Sequence, residues 1–242
     1  MYNSYDKMVV EIWSDVVCPF CYLGKRKFEQ ALENFPFKDS IEVQWKSFQL
    51  NPGVETDPTV SVYDYLSKTK GISKDVALQM TEQIAARGKE VGIDYHFEKT
   101  KVNNTFKAHC FLHFAADKGK QNEAKEILLK AYFTQCENVD DLQLLLDLGE
   151  QLAFNRTELK EVLSGNKYFN TVNSDMELAR TFGISGVPFF VFDRKYAVSG
   201  AQETTAFLQT LEKSFEDWRA NVKDQSLNVV DGETCSPDTE CN

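Results

Sequence analysis

The chain has 242 residues, 42% of them apolar and 26% charged, and its 27 Lys and Arg against 37 Asp and Glu leave a net charge of −10. That length can bury a sizeable core, as one large domain or as a small one carrying an insertion. The acidic balance argues against a nucleic-acid partner, because binders of phosphate backbones present a basic patch and the basic cluster here, Lys25-Arg26-Lys27, is short.

The N-terminal MYNSYDKMVVEIW lacks the charged-then-apolar order of a secretory signal, and no apolar run reaches membrane-spanning length. The expectation is a cytoplasmic protein without a membrane partner. Met8 to Trp13, MVVEIW, is β-branched and aromatic and reads as a buried strand. Leu23, Phe28, Leu32 and Phe35 are then spaced for one face of a helix that ends near Pro36. Ile41 to Phe48 alternates apolar and polar residues, as a second strand does. Strand, helix and strand in this order predict a right-handed parallel βαβ unit.

From Val60 to about Gly165 the texture is helical, in segments separated by Gly, Asn or Asp. Phe169 to Phe182 is another helix, stopped by Gly183. Phe189–Phe192 and Tyr196–Ser199 flank the turn Asp193-Arg194-Lys195 as a β-hairpin, and a closing helix runs from Glu203 to about Val222. The predicted fold is α/β: a thioredoxin-like fold with a mixed central sheet and a large helical insertion. Residues 1–60 and 168–222 would form the thioredoxin-like domain, 61–167 the insertion, and 223–242 a mobile polar tail.

The six cysteines are Cys18, Cys21, Cys110, Cys136, Cys235 and Cys241. Cys18 and Cys21 enclose Pro19 and Phe20 where the first strand gives way to the first helix. Proline is favoured at the first helical position, where its missing N–H would be unpaired anyway. Cys18 is then the N-cap and Cys21 lies one turn in. The unpaired N–H groups and the helix dipole favour a thiolate at Cys18. An effect of up to ~2 kcal/mol would bring a thiol from about 8.5 to near 7, while a covered Cys21 stays protonated and resolves the mixed disulfide. A static disulfide closing so short a loop gains little from chain entropy, so the CxxC beside a βαβ pattern reads as redox-active. A zinc site would need two more ligands, and the other close pair lies in the tail. No metal and no organic cofactor is expected.

SDVVCPFCYLG (Ser14 to Gly24), FQLNP (Phe48 to Pro52), NTFKAH (Asn104 to His109) and GISGVPFF (Gly183 to Phe190) resemble the DsbA-like thioredoxin superfamily. Within it they are most similar to the cytosolic FrnE-type branch, which is related to 2-hydroxychromene-2-carboxylate isomerases. The resemblance covers nearly the whole chain. It implies that Cys18 is the nucleophile and Cys21 the resolving thiol. It also implies that Pro188 follows a cis peptide bond beside them and that the Val187 backbone pairs with an extended substrate. It places Asn51, Asn104 and His109 near the cleft, and it implies a role in oxidative stress. Two departures stand out: Phe20 occupies a position often held by Trp, and Cys18 stands where the isomerase relatives commonly carry serine.

GETCSPDTEC resembles the cysteine-bearing tails of some FrnE-like proteins, with Pro237 and Asp238 favouring a turn between Cys235 and Cys241. The two would form an auxiliary redox pair, or else are exposed thiols without a role. His109 and His113 share a helix face, but the apolar residues around them favour packing over a metal site, and Cys110 and Cys136 read as small buried hydrophobes. Three functions stay open at this level. The first is a thiol–disulfide oxidoreductase acting on a disulfide- or thiol-bearing protein, with glutathione as another partner. The second is a glutathione-dependent isomerase or transferase for a small aromatic or quinone-like substrate, in which Cys21 is dispensable. The third is a non-enzymatic metal-binding or scaffold protein.

Overall fold

The computed structural model describes residues 7–224. Strand β1 (Met8–Ser14), helix α1 (Pro19–Glu33) and strand β2 (Ile41–Ser47) form the expected unit, with β1 and β2 parallel from Met8 opposite Ile41 to Ser14 opposite Ser47. The chain then forms a short strand β3 (Asp57–Ser61), helices α2 (Val62–Lys70) and α3 (Lys74–Glu90), and a two-residue strand β4 (Lys101–Val102). Helices α4 (Phe106–Asp117), α5 (Gln121–Phe133), α6 (Leu142–Gln151) and α7 (Arg156–Ser164) follow, and then α8 (Phe169–Thr181). The hairpin β5 (Phe189–Phe192) and β6 (Tyr196–Ser199) leads into α9 (Thr204–Asp224). No helix among the described residues is long and apolar enough to cross a membrane.

The main sheet runs β2-β1-β5-β6, with β5 antiparallel to both β1 and β6, so it is mixed as expected. The antiparallel β3–β4 pair is a second small sheet, with a register shift between Asp57 and Ser61. Sequence patterning misses it because β3 contains Pro58 and β4 is too short to show a period of two. Several helix starts are legible, since Ser61, Ser73, Asp141 and Asn155 each accept the backbone N–H three residues on, at 3.1, 3.2, 2.9 and 2.9 Å.

Helix α1 packs on both sides. Phe28 and Ala31 join Val10, Ile12, Phe190, Phe192, Phe207 and Leu211 in a core between the sheet, α1 and α9. Tyr22 and Leu23 instead enter a larger core built by the helices between β2 and the hairpin. Those helices also reach the free edge of β2. The Gln121 amide accepts from the Trp45 N–H and donates to the Trp45 carbonyl, both at 2.9 Å, and Asp175 accepts the Ser47 N–H at 2.8 Å.

Gly24 faces the start of β5 closely enough that an added Cβ would lie 2.9 Å from Cγ of Pro188 and 3.3 Å from Phe190. A rigid pyrrolidine ring cannot swing aside. Gly24→Ala is therefore expected to lower stability by about 1–3 kcal/mol, as overpacking does. A urea midpoint equal to that of the parent would refute this.

Candidate active site

Pro19 opens α1 and leaves Cys18 as its N-cap, with φ −93° and ψ 113°. No side-chain oxygen caps this helix, and the Cys21 N–H donates to the Cys18 carbonyl at 3.0 Å. Both thiols are free, Cys18 only 4% exposed and Cys21 fully covered. The Cys18 thiol donates to the Val187 carbonyl at 3.4 Å. The Val187–Pro188 peptide is cis, as the resemblance implies. The next carbonyl, that of Pro188, is taken by the Gly200 N–H at 2.8 Å, which ties this turn into the hairpin. The structure thus brings Cys18, Cys21, Val187 and Pro188 together from two ends of the chain.

Interaction with Cys21 pushes the Cys18 thiol well above its ordinary range; burial and the Asp15 carboxylate add to this, and the Cys21 N–H opposes it. Burial alone would raise Cys21 as well, yet the Cys18 S–H, the Lys125 ammonium and the Ser14 hydroxyl bring it below its ordinary range. The two thiols therefore titrate as one coupled pair that shares a proton. The helix end acts on Cys18 from one side of the pair, and a set of buried groups acts from beneath it.

Those groups form a buried polar floor. The Asp15 carboxylate accepts the Val16 and Leu50 N–H groups, each at 2.8 Å, and faces Nε2 of His109 at 3.3 Å. Burial would raise this acid, but His109 and the backbone donors hold it below the usual carboxylate range. Burial likewise lowers His109 against the pull of Asp15, so the imidazole is neutral. Nδ1 of His109 has no partner among the described residues, which assigns the proton to Nε2 and makes it the donor to Asp15. Lys125 is fully buried on α5, and its Nζ has no hydrogen-bond partner among the described residues. It lies 5.4 Å from the centre of the Trp45 ring.

The helices between β2 and the hairpin hold this floor from the side. Tyr95 donates to the Pro19 carbonyl at 2.7 Å. Glu126, next to Lys125, accepts from Tyr22 at 2.8 Å and from Lys25 at 2.7 Å and pairs with Arg26. Phe20, between the cysteines, is 38% exposed with the Arg87 guanidinium 5.8 Å over its ring, and Leu50 is exposed beyond Asp15.

The remaining expected residues fall into place unevenly. His109 reaches the site through Asp15 rather than lining the cleft. Asn104 accepts the Phe106 N–H and donates to the Val54 carbonyl, both at 2.8 Å, fastening the segment after β2 to the start of α4. Asn51 is exposed and donates to the Tyr65 hydroxyl at 3.0 Å. Neither asparagine hydrogen-bonds a cysteine. His113 faces Ser47 and Asp175 at 2.9 and 3.1 Å, tying α4 to β2 and α8. Cys110 is buried as expected, whereas Cys136 is half-buried in the turn after α5 with φ 59°. Cys235 and Cys241 lie outside the described residues. Among the described residues no three His, Cys, Asp or Glu side chains are grouped to hold a metal.

Ser14, Asp15 and Lys125 were not singled out by sequence. Asp15 did leave a signal, a lone acid between an apolar strand and the CxxC. Lys125 left none, because a lysine in an amphipathic helix reads as solvated.

Residues 9–212 match the family model of the DSBA-like thioredoxin domain. The chain is similar to the crystal structure of a probable DsbA oxidoreductase from Streptomyces coelicolor, 33% identical, with 96% of this chain and 97% of that chain covered and a TM-score of 0.82. It is also similar to a 2-hydroxychromene-2-carboxylate isomerase, 15% identical, with 91% and 100% of the two chains covered and a TM-score of 0.62. A third likeness is to the cytosolic disulfide reductase DsbM of Pseudomonas aeruginosa with glutathione, 16% identical, over 90% and 98% of the two chains at a TM-score of 0.57. The last two identities speak for the fold alone. With the family model spanning most of the chain and the cysteine pair seated at a helix start beside a cis proline, the chain belongs to the DsbA-like thioredoxin family.

Proposed function

We propose that this chain is a cytoplasmic thiol–disulfide oxidoreductase that works through Cys18 and Cys21. One observation carries the reading: Cys18 caps α1 with its sulfur set between Cys21 and the Val187 carbonyl. In the oxidising direction for the protein, Cys18 Sγ attacks a substrate disulfide as the shared proton passes to Cys21. A Cys18–substrate S–S bond forms, the substrate S–S bond breaks, and one substrate thiolate leaves. Cys21 then gives its proton to that thiolate and attacks Cys18 Sγ. The Cys18–Cys21 bond forms, and the second substrate sulfur departs as a thiolate. The reverse sequence oxidises a substrate dithiol.

The Val187 carbonyl has a part in this cycle. It accepts the Cys18 S–H in the dithiol, and that donor is lost once Cys18 joins a mixed disulfide. The carbonyl is then free for a backbone N–H of an extended polypeptide held at Cys18. Exposed Phe20 and Leu50 beside the pair favour a protein disulfide or thiol as substrate, with glutathione as co-substrate. DsbM, of the same fold, is a disulfide reductase whose structure was determined with glutathione, which supports glutathione as a partner. Cys235 and Cys241 would be an auxiliary pair exchanging electrons with Cys18 and Cys21.

The test is an equilibrium titration across defined ratios of reduced to oxidised glutathione, with alkylation and mass spectrometry at each point. Cys18 and Cys21 are expected to convert together as a two-electron couple, close to 30 mV per tenfold change in the equilibrium. An adduct that stops as one glutathione on Cys18 would overturn the reading and favour the isomerase or transferase alternative.

A further inference from the structure

Helix α5 turns two adjacent charges in different directions. Glu126 is held by Lys25, Arg26 and Tyr22 on α1. Lys125 enters the interior, fully buried, with its Nζ bonded to nothing among the described residues. A buried ammonium without a partner is costly, and a methionine of similar length would fill the same space against Trp45. Packing alone therefore does not account for a lysine here.

The charges that face it show what the ammonium does. From α1 come Cys21, Cys18 and Lys25, from the segment after β1 comes Asp15, and from α4 comes neutral His109. Asp15 already takes two backbone N–H groups and His109. Besides Lys125, Cys21 has the Cys18 thiol, the Ser14 hydroxyl and the Asp15 backbone to stabilise its charge, and no cation other than Lys125 is among them. Once Cys18 is bound to substrate, its S–H is gone, and Cys21 must ionise with less help at the step where it is the nucleophile.

We propose that Lys125 is a positioning residue for the resolving step, its unpartnered ammonium acting from the buried face of α5 to hold the Cys21 thiolate that breaks the mixed disulfide. This rests on the oxidoreductase reading and names the group that completes it. In the step, a Cys21–Cys18 S–S bond forms and the Cys18–substrate S–S bond breaks. The substrate leaves as a thiolate, and Lys125 neither gives nor takes a proton. Burial brings Lys125 down to about 8, against the pull of Cys21 and Asp15, so it is charged at neutral pH.

A Cys18→Ser background with Cys110, Cys136, Cys235 and Cys241 replaced by alanine isolates Cys21, and thiolate absorbance against pH reads its titration without any turnover. Adding K125M is expected to raise the Cys21 midpoint by about one pH unit or more, a tenfold loss of thiolate. With Cys18 intact, the K125M variant should hold a glutathione mixed disulfide about tenfold longer at pH 7, and the gap should close as the pH rises past the Cys21 midpoint. An unmoved Cys21 midpoint overturns the proposal. If K125M does not fold, the wild-type chain with carbon-13-labelled lysine serves instead. By reciprocity, Lys125 should titrate higher in the dithiol than in the disulfide, and equal midpoints overturn the proposal. Failure of the glutathione couple in the wild type would sink the oxidoreductase reading while leaving both Cys21 and Lys125 titrations readable.

Discussion

Cys18→Ser is expected to reduce disulfide exchange by on the order of a thousandfold or more, as loss of a nucleophile does. Cys21→Ser is expected to fail differently. Cys18 retains its place at the start of α1 and its bond to the Val187 carbonyl, so the first attack still occurs. Cys21 is the sulfur that would release the product, and without it the chain accumulates a mixed disulfide. Intact-mass measurement after exposure to oxidised glutathione separates the two: no adduct at this site in the Cys18 variant, and one persistent glutathione in the Cys21 variant. Multiple turnover by the Cys21 variant would contradict the dithiol mechanism and point to chemistry that needs one thiol. A long-lived adduct would also present the substrate side of the site for structure determination.

Asp15→Ala is expected to destabilise the chain by about 3–5 kcal/mol, the range for removing one partner from a buried charged network. The loss strands three donors at once, the Val16 and Leu50 N–H groups and Nε2 of His109. The pH dependence has a definite sign. Asp15 is held below its unfolded value, so its contribution is fully present above about pH 4. It is lost as the pH falls through the folded value, where folded and unfolded chains bind the proton alike. Urea unfolding of parent and variant should therefore differ most near neutrality and converge in acid. A gap that stays constant from neutral pH into strong acid, or stays below about 1 kcal/mol throughout, would contradict the role given to this carboxylate. Because Asp15 also holds the segment after β2 through Leu50, the variant should lose exchange activity under conditions where it is still folded.

The elements that were legible share one property: their signals are local. Pro19 after Cys18 marks the helix start, and the β-branched and aromatic runs at Met8–Trp13 and Phe189–Phe192 mark strands that the structure pairs with each other. The chemistry between the elements was less legible. Lys125, one of the groups that act on Cys21, is about a hundred residues away in sequence and indistinguishable there from a surface lysine on an amphipathic helix. His109 stands out in sequence, but its partner Asp15 does not, because a hydrogen bond from a helix to a loop nearly a hundred residues away leaves no spacing to read. The resemblance implies that Asn104 and Asn51 lie near the cleft, and the structure adds that their hydrogen bonds fasten loops.

The contacts along β2 bear on a hazard unrelated to redox chemistry. An open sheet edge offers unpaired N–H and C=O groups to any other strand in solution, and β2, with apolar Ile41, Val43 and Trp45, would be a competent template for aggregation. Here the Gln121 amide bonds both backbone groups of Trp45, as a neighbouring strand would, and Asp175 takes the N–H of Ser47. The helices inserted after β2 thus close the sheet with side chains. A shortened chain lacking α5 and α8 would retain the cysteine motif and the four strands, but it would expose that edge and associate through it.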